Sequence, residues 1–121
     1  MNDELNKKND ALSRLIGARL TSVQFVLDYL ILGFDERGAM TTLVWPELYA
    51  GRKKTVLGMQ EYRNELCSLI EKTTKSVTIS FNETISVKFE NSTEMRIPLQ
   101  SYKGSGERVV LTGPNHYLFV F

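Results

Sequence analysis

The feature that most constrains this chain is an apolar pattern that occurs twice. The first copy spans residues 11–44 and the second spans residues 65–99. Each copy begins with apolar residues at helical spacing and continues with the alternation typical of strands. The matched pairs are Leu12/Leu66, Leu15/Leu69, Ile16/Ile70, Ser22/Ser76, Val23/Val77, Phe25/Ile79, Leu27/Phe81, Leu30/Ile85, Leu32/Val87, Phe34/Phe89, Met40/Met95 and Val44/Leu99. Because neither half can cover its own apolar faces alone, two similar halves are expected to pack against each other.

The first copy predicts one helix and a three-stranded meander. The helical stripe ends at Gly17, which suits the left-handed position after a helix. The period then changes to two, with Val23, Phe25 and Leu27 pointing one way. Pro46 is expected to end the third strand because proline has no N–H to donate to a neighbouring strand.

The second copy predicts the same order of elements. A second helix is expected after Gly58, with an apolar stripe that ends near Lys72, and three strands are expected over 76–81, 84–89 and 94–98. The fold class is therefore predicted to be α+β, in one domain over 1–121 with two helices and eight strands. Its parts would be two αβββ repeats with pseudo-twofold symmetry (about 3–46 and 58–100), a loop over 47–57 and a C-terminal β-hairpin over 107–121 that lies outside the repeat.

The composition is that of a soluble globular protein. Apolar residues make up 42% of the 121 residues and charged residues make up 24%. The charges nearly cancel, with 15 basic against 14 acidic residues. A chain without a strong net field is not expected to have nucleic acid or an anionic membrane as its main partner.

The sequence predicts a cytoplasmic protein. The first ten residues are polar and lack the apolar core of a signal peptide, and no apolar run approaches the roughly 18 residues that cross a bilayer. Cys67 is the single cysteine and has no partner for an internal disulfide, which agrees with a reducing compartment.

Catalysis, metals and cofactors are not predicted. A zinc site needs about four nitrogen or thiolate ligands, or three with a water, and this chain offers one cysteine and one histidine. Cys67 is expected to pack beside Leu66 in the second helix, and His116 is expected in an exposed turn. An enzyme that uses Cys67 as nucleophile and His116 as base is the third hypothesis.

The leading hypothesis is a noncatalytic protein-binding protein. Trp45, Tyr49 and Arg52 fall within eight residues, on the long connection between the two copies. Tryptophan, tyrosine and arginine are enriched at interface hot spots, and long connections are often functional. The predicted partner-binding residues are Trp45, Tyr49, Arg52, Lys53, Tyr102 and Lys103. Whether Trp45 lies in the core or at the interface is left open by the pattern.

Two other binding hypotheses remain. A small ligand could occupy a pocket between the two sheet halves, which is the alternative function. The repeat also allows a homodimer through an exposed strand edge.

The second copy resembles a family of small, mostly uncharacterised bacterial proteins of similar length. Its members combine Tyr-Arg-x-x-Leu-x-x-Leu-Ile on a helix with a strand meander and a terminal hairpin with a Gly-Pro turn. The matching residues here are Tyr62, Arg63, Leu66, Leu69, Ile70, Phe89, Met95, Gly113 and Pro114. Small single-domain αβ proteins of this class include bacterial toxin-immunity proteins. By that analogy, the expected partner is a toxin that this protein neutralises in the cytosol.

Overall fold

The computed structural model describes residues 3–104 and 106–121. Within them the chain forms two α-helices and ten strands in two five-stranded antiparallel sheets, so the predicted α+β class is confirmed. The helices are α1 (Asp3–Ser13) and α2 (Tyr62–Cys67). The strands are β1 (Leu20–Val26), β2 (Tyr29–Phe34), β3 (Gly38–Thr42), β4 (Glu47–Ala50), β5 (Lys53–Thr55), β6 (Thr74–Ile79), β7 (Thr84–Phe89), β8 (Thr93–Pro98), β9 (Val109–Gly113) and β10 (Tyr117–Val120).

Each sheet combines strands from both halves of the chain. The first sheet has the order β1-β2-β3-β9-β10, and the second has the order β6-β7-β8-β4-β5. In each half, a meander of three strands is therefore followed by a hairpin that leaves for the other sheet. The two strand orders are the same when the halves are exchanged.

Backbone hydrogen bonds join the two sheets where β1 and β6 begin. An isolated antiparallel bridge pairs Arg19 with Thr73. The surrounding bonds occur in matched pairs: Gly17 N–H to Thr74 O (3.1 Å) with Glu71 N–H to Leu20 O (2.7 Å), and Leu20 N–H to Lys72 O (3.0 Å) with Thr74 N–H to Ala18 O (2.8 Å). Each bond becomes its counterpart when the halves are exchanged, as at a twofold interface. These matched hydrogen bonds agree with two similar halves, and the repeat in the sequence stays a prediction.

A residue in the left-handed region follows each helix at corresponding positions. Gly17 has a φ of 88° and Glu71 has a φ of 81°. The left-handed conformation predicted for Gly17 is therefore observed, and it aims the chain from α1 into β1.

The inner faces of both sheets and the buried sides of both helices form one hydrophobic cluster. Strand β2 shows the alternation clearly, because Leu30, Leu32 and Phe34 are fully buried while the residues between them are only partly buried. The interior between the two sheets is thus filled by side chains. The small-ligand pocket predicted between the two sheet halves would have to lie in this interior, which side chains already fill.

The prediction of a loop over 47–57 is wrong. This segment contains the hairpin β4–β5, in which Leu48 pairs with Met95 of β8 as well as with Thr55. The described part of the chain therefore has ten strands, not the predicted eight. Hairpin β9–β10, predicted over 107–121, holds the corresponding place in the first sheet, so it is not an extra element. Strand β5 has three residues, two of which are lysines. Lysines often protect a sheet edge from pairing with other chains, but so short and charged a segment lacks the apolar alternation by which a strand is predicted.

Three local predictions also need correction, two of them in α2 and one in the turn between β1 and β2. Helix α2 has six residues and begins at Tyr62, because the chain forms turns rather than helix after Gly58. Cys67 is exposed rather than packed, since the buried stripe of α2 runs along the neighbouring face. Leu27 lies in the two-residue turn between β1 and β2 with 92% of its surface exposed, instead of continuing the strand on the same face as Phe25.

Glu83 connects three parts of the fold. It lies in the turn between β6 and β7, and its carboxylate accepts hydrogen bonds from Arg108 Nη1 (3.1 Å) and Nη2 (3.3 Å). The ammonium of Lys8 on α1 lies 3.6 Å from the same carboxylate. The Arg108 hydrogen bonds are the main cause that holds the pKa of Glu83 below its usual value.

Replacing this carboxylate should reduce stability in a pH-dependent way. A lowered folded-state pKa means that ionised Glu83 stabilises the fold above its unfolded-state pKa of 4.5, and that this contribution is lost as the pH falls through the folded-state value. We expect Glu83→Gln to lower the free energy of unfolding by about 0.5–1 kcal/mol at neutral pH. Urea unfolding should show that the difference from the parent protein shrinks toward about pH 3.

Glu36→Gln is the matched control, because Glu36 is exposed and no side-chain ion pair of it is observed among the described residues. It should leave the free energy of unfolding unchanged at both pH values. An equal loss for Glu83→Gln at neutral and acidic pH would contradict the assigned role of the charge.

Candidate functional site

Trp45 lies on the connection between β3 and β4, and buried hydrogen bonds hold the backbone on both sides of it. Before it, the Thr42 hydroxyl donates to the Val44 carbonyl (2.7 Å) and accepts from the Val44 N–H (3.1 Å). After it, the buried Tyr62 hydroxyl of α2 donates to the Pro46 carbonyl (2.6 Å). The backbone that carries the tryptophan is therefore fixed at both ends.

The indole of Trp45 is only partly buried. It packs against the hydrophobic cluster and is stacked with the ring of Phe25, with centroids 6.2 Å apart and planes inclined by 15°. The guanidinium carbon of Arg63 on α2 lies 5.2 Å from the Phe25 centroid, within the range of a cation–π contact. Trp45 thus belongs partly to the core and partly to the surface.

A cleft on one side of Trp45, which we call the aromatic cleft, has a volume of about 320 Å³. Its walls are Phe25, Val26, Leu27, Trp45, Leu57 and Arg63. Leu27 is 92% exposed and Leu57 is 51% exposed. Arg63 is the single charged wall residue, and no ion pair of it is observed among the described residues. Large exposed apolar side chains grouped around a cleft are typical of an interaction site.

A second cleft that Trp45 also lines, which we call the Tyr102 cleft, has a volume of about 380 Å³. Its walls are Leu43, Val44, Trp45, Glu47, Pro98, Ser101, Tyr102, Lys103 and Gly104. The ring of Tyr102 lies so close to Gly104 that a β-carbon at that position would collide with it. Glycine at 104 therefore allows the tyrosine to pack back over the chain.

The structure brings together three of the six predicted partner-binding residues. Trp45, Tyr102 and Lys103 all line the Tyr102 cleft, although they come from connections more than 50 residues apart. Tyr49 lies nearby on the outer face of the second sheet. Its hydroxyl donates to Glu47 Oε1 (2.9 Å), and Glu47 is itself a wall residue of that cleft.

The other two predicted residues lie elsewhere. Arg52 is exposed in the turn between β4 and β5. Lys53 points to α2, where its ammonium lies 2.8 Å from Glu65 and 4.0 Å from Glu61. Because these carboxylates already compensate its charge, Lys53 supports the docking of α2 and lines neither cleft beside Trp45.

Five residues of the aromatic cleft were not among those predicted for binding: Phe25, Val26, Leu27, Leu57 and Arg63. An apolar residue in a two-residue turn was the available signal, because such turns favour polar residues and glycine. Leu27 shows this signal, and Phe81 is an exposed apolar residue in the corresponding but longer turn over 80–83. Arg63 gives no such signal, since an arginine on the outer side of a helix is ordinary.

Other chemistry has little geometric support in the described part of the chain. No group of three His, Cys, Asp or Glu side chains lies close enough there to hold a metal ion. Cys67 is exposed on α2, and His116 lies in the turn between β9 and β10 with a φ of 62°. None of the described helices is both long and apolar enough to cross a membrane.

Comparison of the chain with protein-family models, with curated proteins and with solved structures finds no significant match. The resemblance to a family of small bacterial proteins stays a prediction.

The Tyr62 hydroxyl should be needed to hold the Trp45 backbone. Burial raises the pKa of Tyr62 well above its usual value, so the group stays a neutral donor. We expect Tyr62→Phe to lower the free energy of unfolding by about 1–2 kcal/mol, because the Pro46 carbonyl then loses its donor. Denaturant unfolding followed by the fluorescence of Trp45, the single tryptophan, measures this loss.

Tyr29→Phe is the matched control, because no hydrogen bond of the Tyr29 hydroxyl is observed among the described residues. This variant should keep the parent stability and emission spectrum. If Tyr62→Phe behaves like Tyr29→Phe, the Pro46 hydrogen bond does not position the tryptophan.

Proposed function

We propose that this protein is a noncatalytic protein-binding protein that acts as an immunity protein, neutralising a toxin in the cytoplasm. The observation that carries the proposal is the half-exposed Trp45, fixed on both sides and bordered by two clefts. Interface hot spots are typically aromatic or arginine side chains that sit in rigid, partly dry surroundings. The aromatic cleft and the Tyr102 cleft together form such a surface, which we call the Trp45 surface.

The chemistry of this surface suits an apolar and partly acidic partner segment. Leu27, Leu57 and Trp45 offer apolar area, while Arg63 places a positive charge in the aromatic cleft and Lys103 places one in the Tyr102 cleft. The whole chain has a net charge of +1, so it is not the strongly acidic decoy that would suit a basic nuclease toxin. Occlusion of a toxin's active site, or docking beside it, is the mechanism that fits.

The toxin assignment is supported by class analogy and is separate from the protein-binding proposal. Small αβ domains without a catalytic constellation include immunity proteins, and fold class alone gives an associational argument. The experiment therefore tests binding and neutralisation one after the other.

Charges placed in the aromatic cleft should weaken partner binding. We expect the double variant Leu27→Asp/Leu57→Asp to bind at least tenfold more weakly, a change of about 1.4 kcal/mol, because carboxylates would be buried against apolar walls. Both side chains are largely exposed in the free protein, so the fold should stay intact. Affinity purification from the native lysate, with quantitative mass spectrometry, compares the recovered partner.

Phe81→Asp is the matched control, because Phe81 is 83% exposed in the corresponding turn of the other half, away from Trp45. It should recover the partner as the parent protein does. The partner alone should then arrest cell growth, and co-expression of the parent protein but not of the double variant should restore growth. If both variants recover the partner as the parent protein does, the aromatic cleft is not the binding site. If the partner alone does not arrest growth, the immunity function is contradicted.

A second candidate function is the binding of a small polar ligand on the outer face of the second sheet. A cleft of about 370 Å³ there is lined by Glu47, Thr78, Ser80, Asn82, Thr84, Ser86, Glu94, Arg96 and Pro98. Arg96 donates to both carboxylate oxygens of Glu94 (3.0 and 3.1 Å), and this hydrogen bonding is the main cause that lowers the pKa of Glu94. Such a hydrogen-bonding wall favours a hydroxyl-rich molecule over an apolar one.

This alternative predicts a bound small molecule in native mass spectrometry of the purified protein. The extra mass should disappear from Arg96→Ala, because the variant loses the central donor of the cleft. Lys7→Ala, on the exposed side of α1, should keep the extra mass. A spectrum of the parent protein without any adduct, at several protein concentrations, would contradict small-ligand binding.

A further inference from the structure

Strands β1 and β6 are corresponding edge strands of the two sheets. The matched hydrogen bonds around Arg19 and Thr73 place the starts of both strands in equivalent surroundings. Any difference between these two edges is therefore a difference between matched positions in one molecule.

The edge of β6 is closed by a side chain of α1. Asn9 Oδ1 accepts a hydrogen bond from the Ile79 N–H (2.9 Å), and Asn9 Nδ2 donates to the Ile79 carbonyl (3.2 Å). The carboxamide thus pairs with both backbone groups of Ile79, as a neighbouring strand would. The groove beside this edge holds only about 100 Å³.

The corresponding edge of β1 is not closed in this way. Phe25 holds the position in β1 that Ile79 holds in β6. The same offset along the sequence relates Asn9 of α1 to Arg63 of α2. Helix α2 has 6 residues, whereas α1 has 11. Arg63 stacks on the ring of Phe25, and in the part of the chain that the structure describes no side chain bonds to the Phe25 backbone. The groove beside this edge is the aromatic cleft, with about 320 Å³.

The pairing of β1 with β2 leaves backbone groups of β1 facing outward. The strands are joined by a two-residue turn, and the pair Val26/Tyr29 that closes such a turn is hydrogen-bonded. Hydrogen-bonded and non-hydrogen-bonded pairs alternate along an antiparallel ladder. The N–H and C=O groups of Phe25 and Val23 therefore point away from β2, toward the free edge.

The sequence of β1 lacks the usual protection of an edge. With seven residues, β1 is the longest of the described strands, and its sequence LTSVQFV contains neither proline nor a charged residue. The other edges are shorter or blocked: β5 has three residues with two lysines, β10 has four residues, and β6 carries Lys75 and the Asn9 pairing. Leu20 at the start of β1 already exchanges backbone hydrogen bonds with Lys72 and Glu71, so the free part of this edge is 21–26. An uncharged and uncovered edge of this kind is a template for an added strand.

We propose that the free edge of β1 receives an extended segment of a partner protein as an added strand, with an apolar side chain in the aromatic cleft and a carboxylate on Arg63. This inference rests on the proposed protein-binding function and specifies its recognition mode. Main-chain hydrogen bonds to Val23 and Phe25 would supply affinity, and the cleft would supply specificity, as in other strand-addition complexes.

The walls of the cleft determine the chemistry of that segment. Side chains of an added strand that lie on the same face as Phe25 would point to the indole ring of Trp45 and the isobutyl group of Leu57. Arg63 is the single cation there, and a guanidinium presents a planar fork that matches a carboxylate. The expected segment thus alternates apolar residues with polar ones and carries an aspartate or glutamate.

Peptides selected on the full-length protein from a random twelve-residue phage-displayed library provide the probe. The selected peptides should share the apolar and acidic pattern. Amide hydrogen exchange measured by NMR should show that saturation with a selected peptide slows exchange of Val23 and Phe25 at least tenfold, while the Gln24 amide, already paired with β2, changes little. Selected peptides that bind without slowing Val23 and Phe25 would overturn the proposal, and so would a library that yields no binder.

N-methylation of the peptide backbone provides the internal control. Methyl groups at alternate residues, on the amides that face β1, should each weaken binding at least tenfold, because they remove strand hydrogen bonds. Methyl groups on the intervening amides should weaken it less than twofold. Loss of binding without this period of two would overturn strand addition.

A variant that copies the closed edge provides a further test. Arg63→Asn places a carboxamide at the position that corresponds to Asn9, and it removes the cation that binds the carboxylate. It should weaken peptide binding at least tenfold. Lys7→Asn, which removes a positive charge from the exposed side of α1, should change the affinity less than twofold. Equal affinities of both variants would contradict the proposal.

The outcomes separate this inference from the proposed function. A partner that is lost from the Leu27→Asp/Leu57→Asp variant, but does not slow exchange at Val23 and Phe25, would leave protein binding standing and remove strand addition. Peptides that add to β1, with no native partner recovered, would support the edge and contradict the immunity function. A dimer of this chain in analytical ultracentrifugation that is lost in Arg63→Asn would assign the edge to a second copy and overturn the proposal.

Discussion

Neither sheet of this protein is complete within one half of the chain, and this exchange of hairpins is the constraint on which the rest of the structure depends. Hairpin β4–β5 extends the sheet of the second meander, and hairpin β9–β10 extends the sheet of the first. The inner faces can therefore be buried only when both halves fold together. The reciprocal hydrogen bonds around Arg19 and Thr73 then hold the two sheets in register at their common border. The pairings of β3 with β9 and of β4 with β8 each join one half of the chain to the other, so cooperativity between the halves is built into the topology.

A fold with two corresponding halves can use equivalent positions for different purposes. Asn9 and Arg63 hold corresponding places on α1 and α2, yet the first pairs with a strand backbone and the second stacks on an aromatic ring. The shorter α2 leaves a groove where α1 leaves almost none. One sheet edge is thereby closed and the other stays open, although the backbone around both begins in the same way. The asymmetry comes from side chains and helix length rather than from a different fold.

The sequence predicted correctly those elements whose signals lie within a few neighbouring residues. The left-handed conformation of Gly17 and the strand over 84–89 follow from signals within a few residues, and the structure confirms both. Hairpin β4–β5 was missed because its strands have three or four residues, and only Leu48 and Thr55 are buried. Its pairing with β8, through Leu48 and Met95, depends on a contact 47 positions away along the chain. Short strands stabilised by distant partners leave no periodic trace in their own residues.

The Trp45 surface was only half predictable for a similar reason. The types and spacing of residues indicated Trp45, but Phe25, Leu57 and Arg63 come from three other segments that only the fold assembles. The Tyr102 cleft shows the cause most clearly. Trp45 lies on the connection that carries β4 to the second sheet, and Tyr102 lies on the connection that carries β9 back to the first.

The two connections pass beside each other because the hairpins are exchanged, and the Leu43 N–H donates to the Arg108 carbonyl (2.9 Å) where they meet. Residues of both connections therefore line one cleft. A molecule bound there contacts the two segments that complete both sheets, so the surface most suited to recognition is a direct consequence of the topology that stabilises the core. Trp45 can stay half-exposed at this crossing because Thr42 and Tyr62 fix its backbone independently of what its indole contacts.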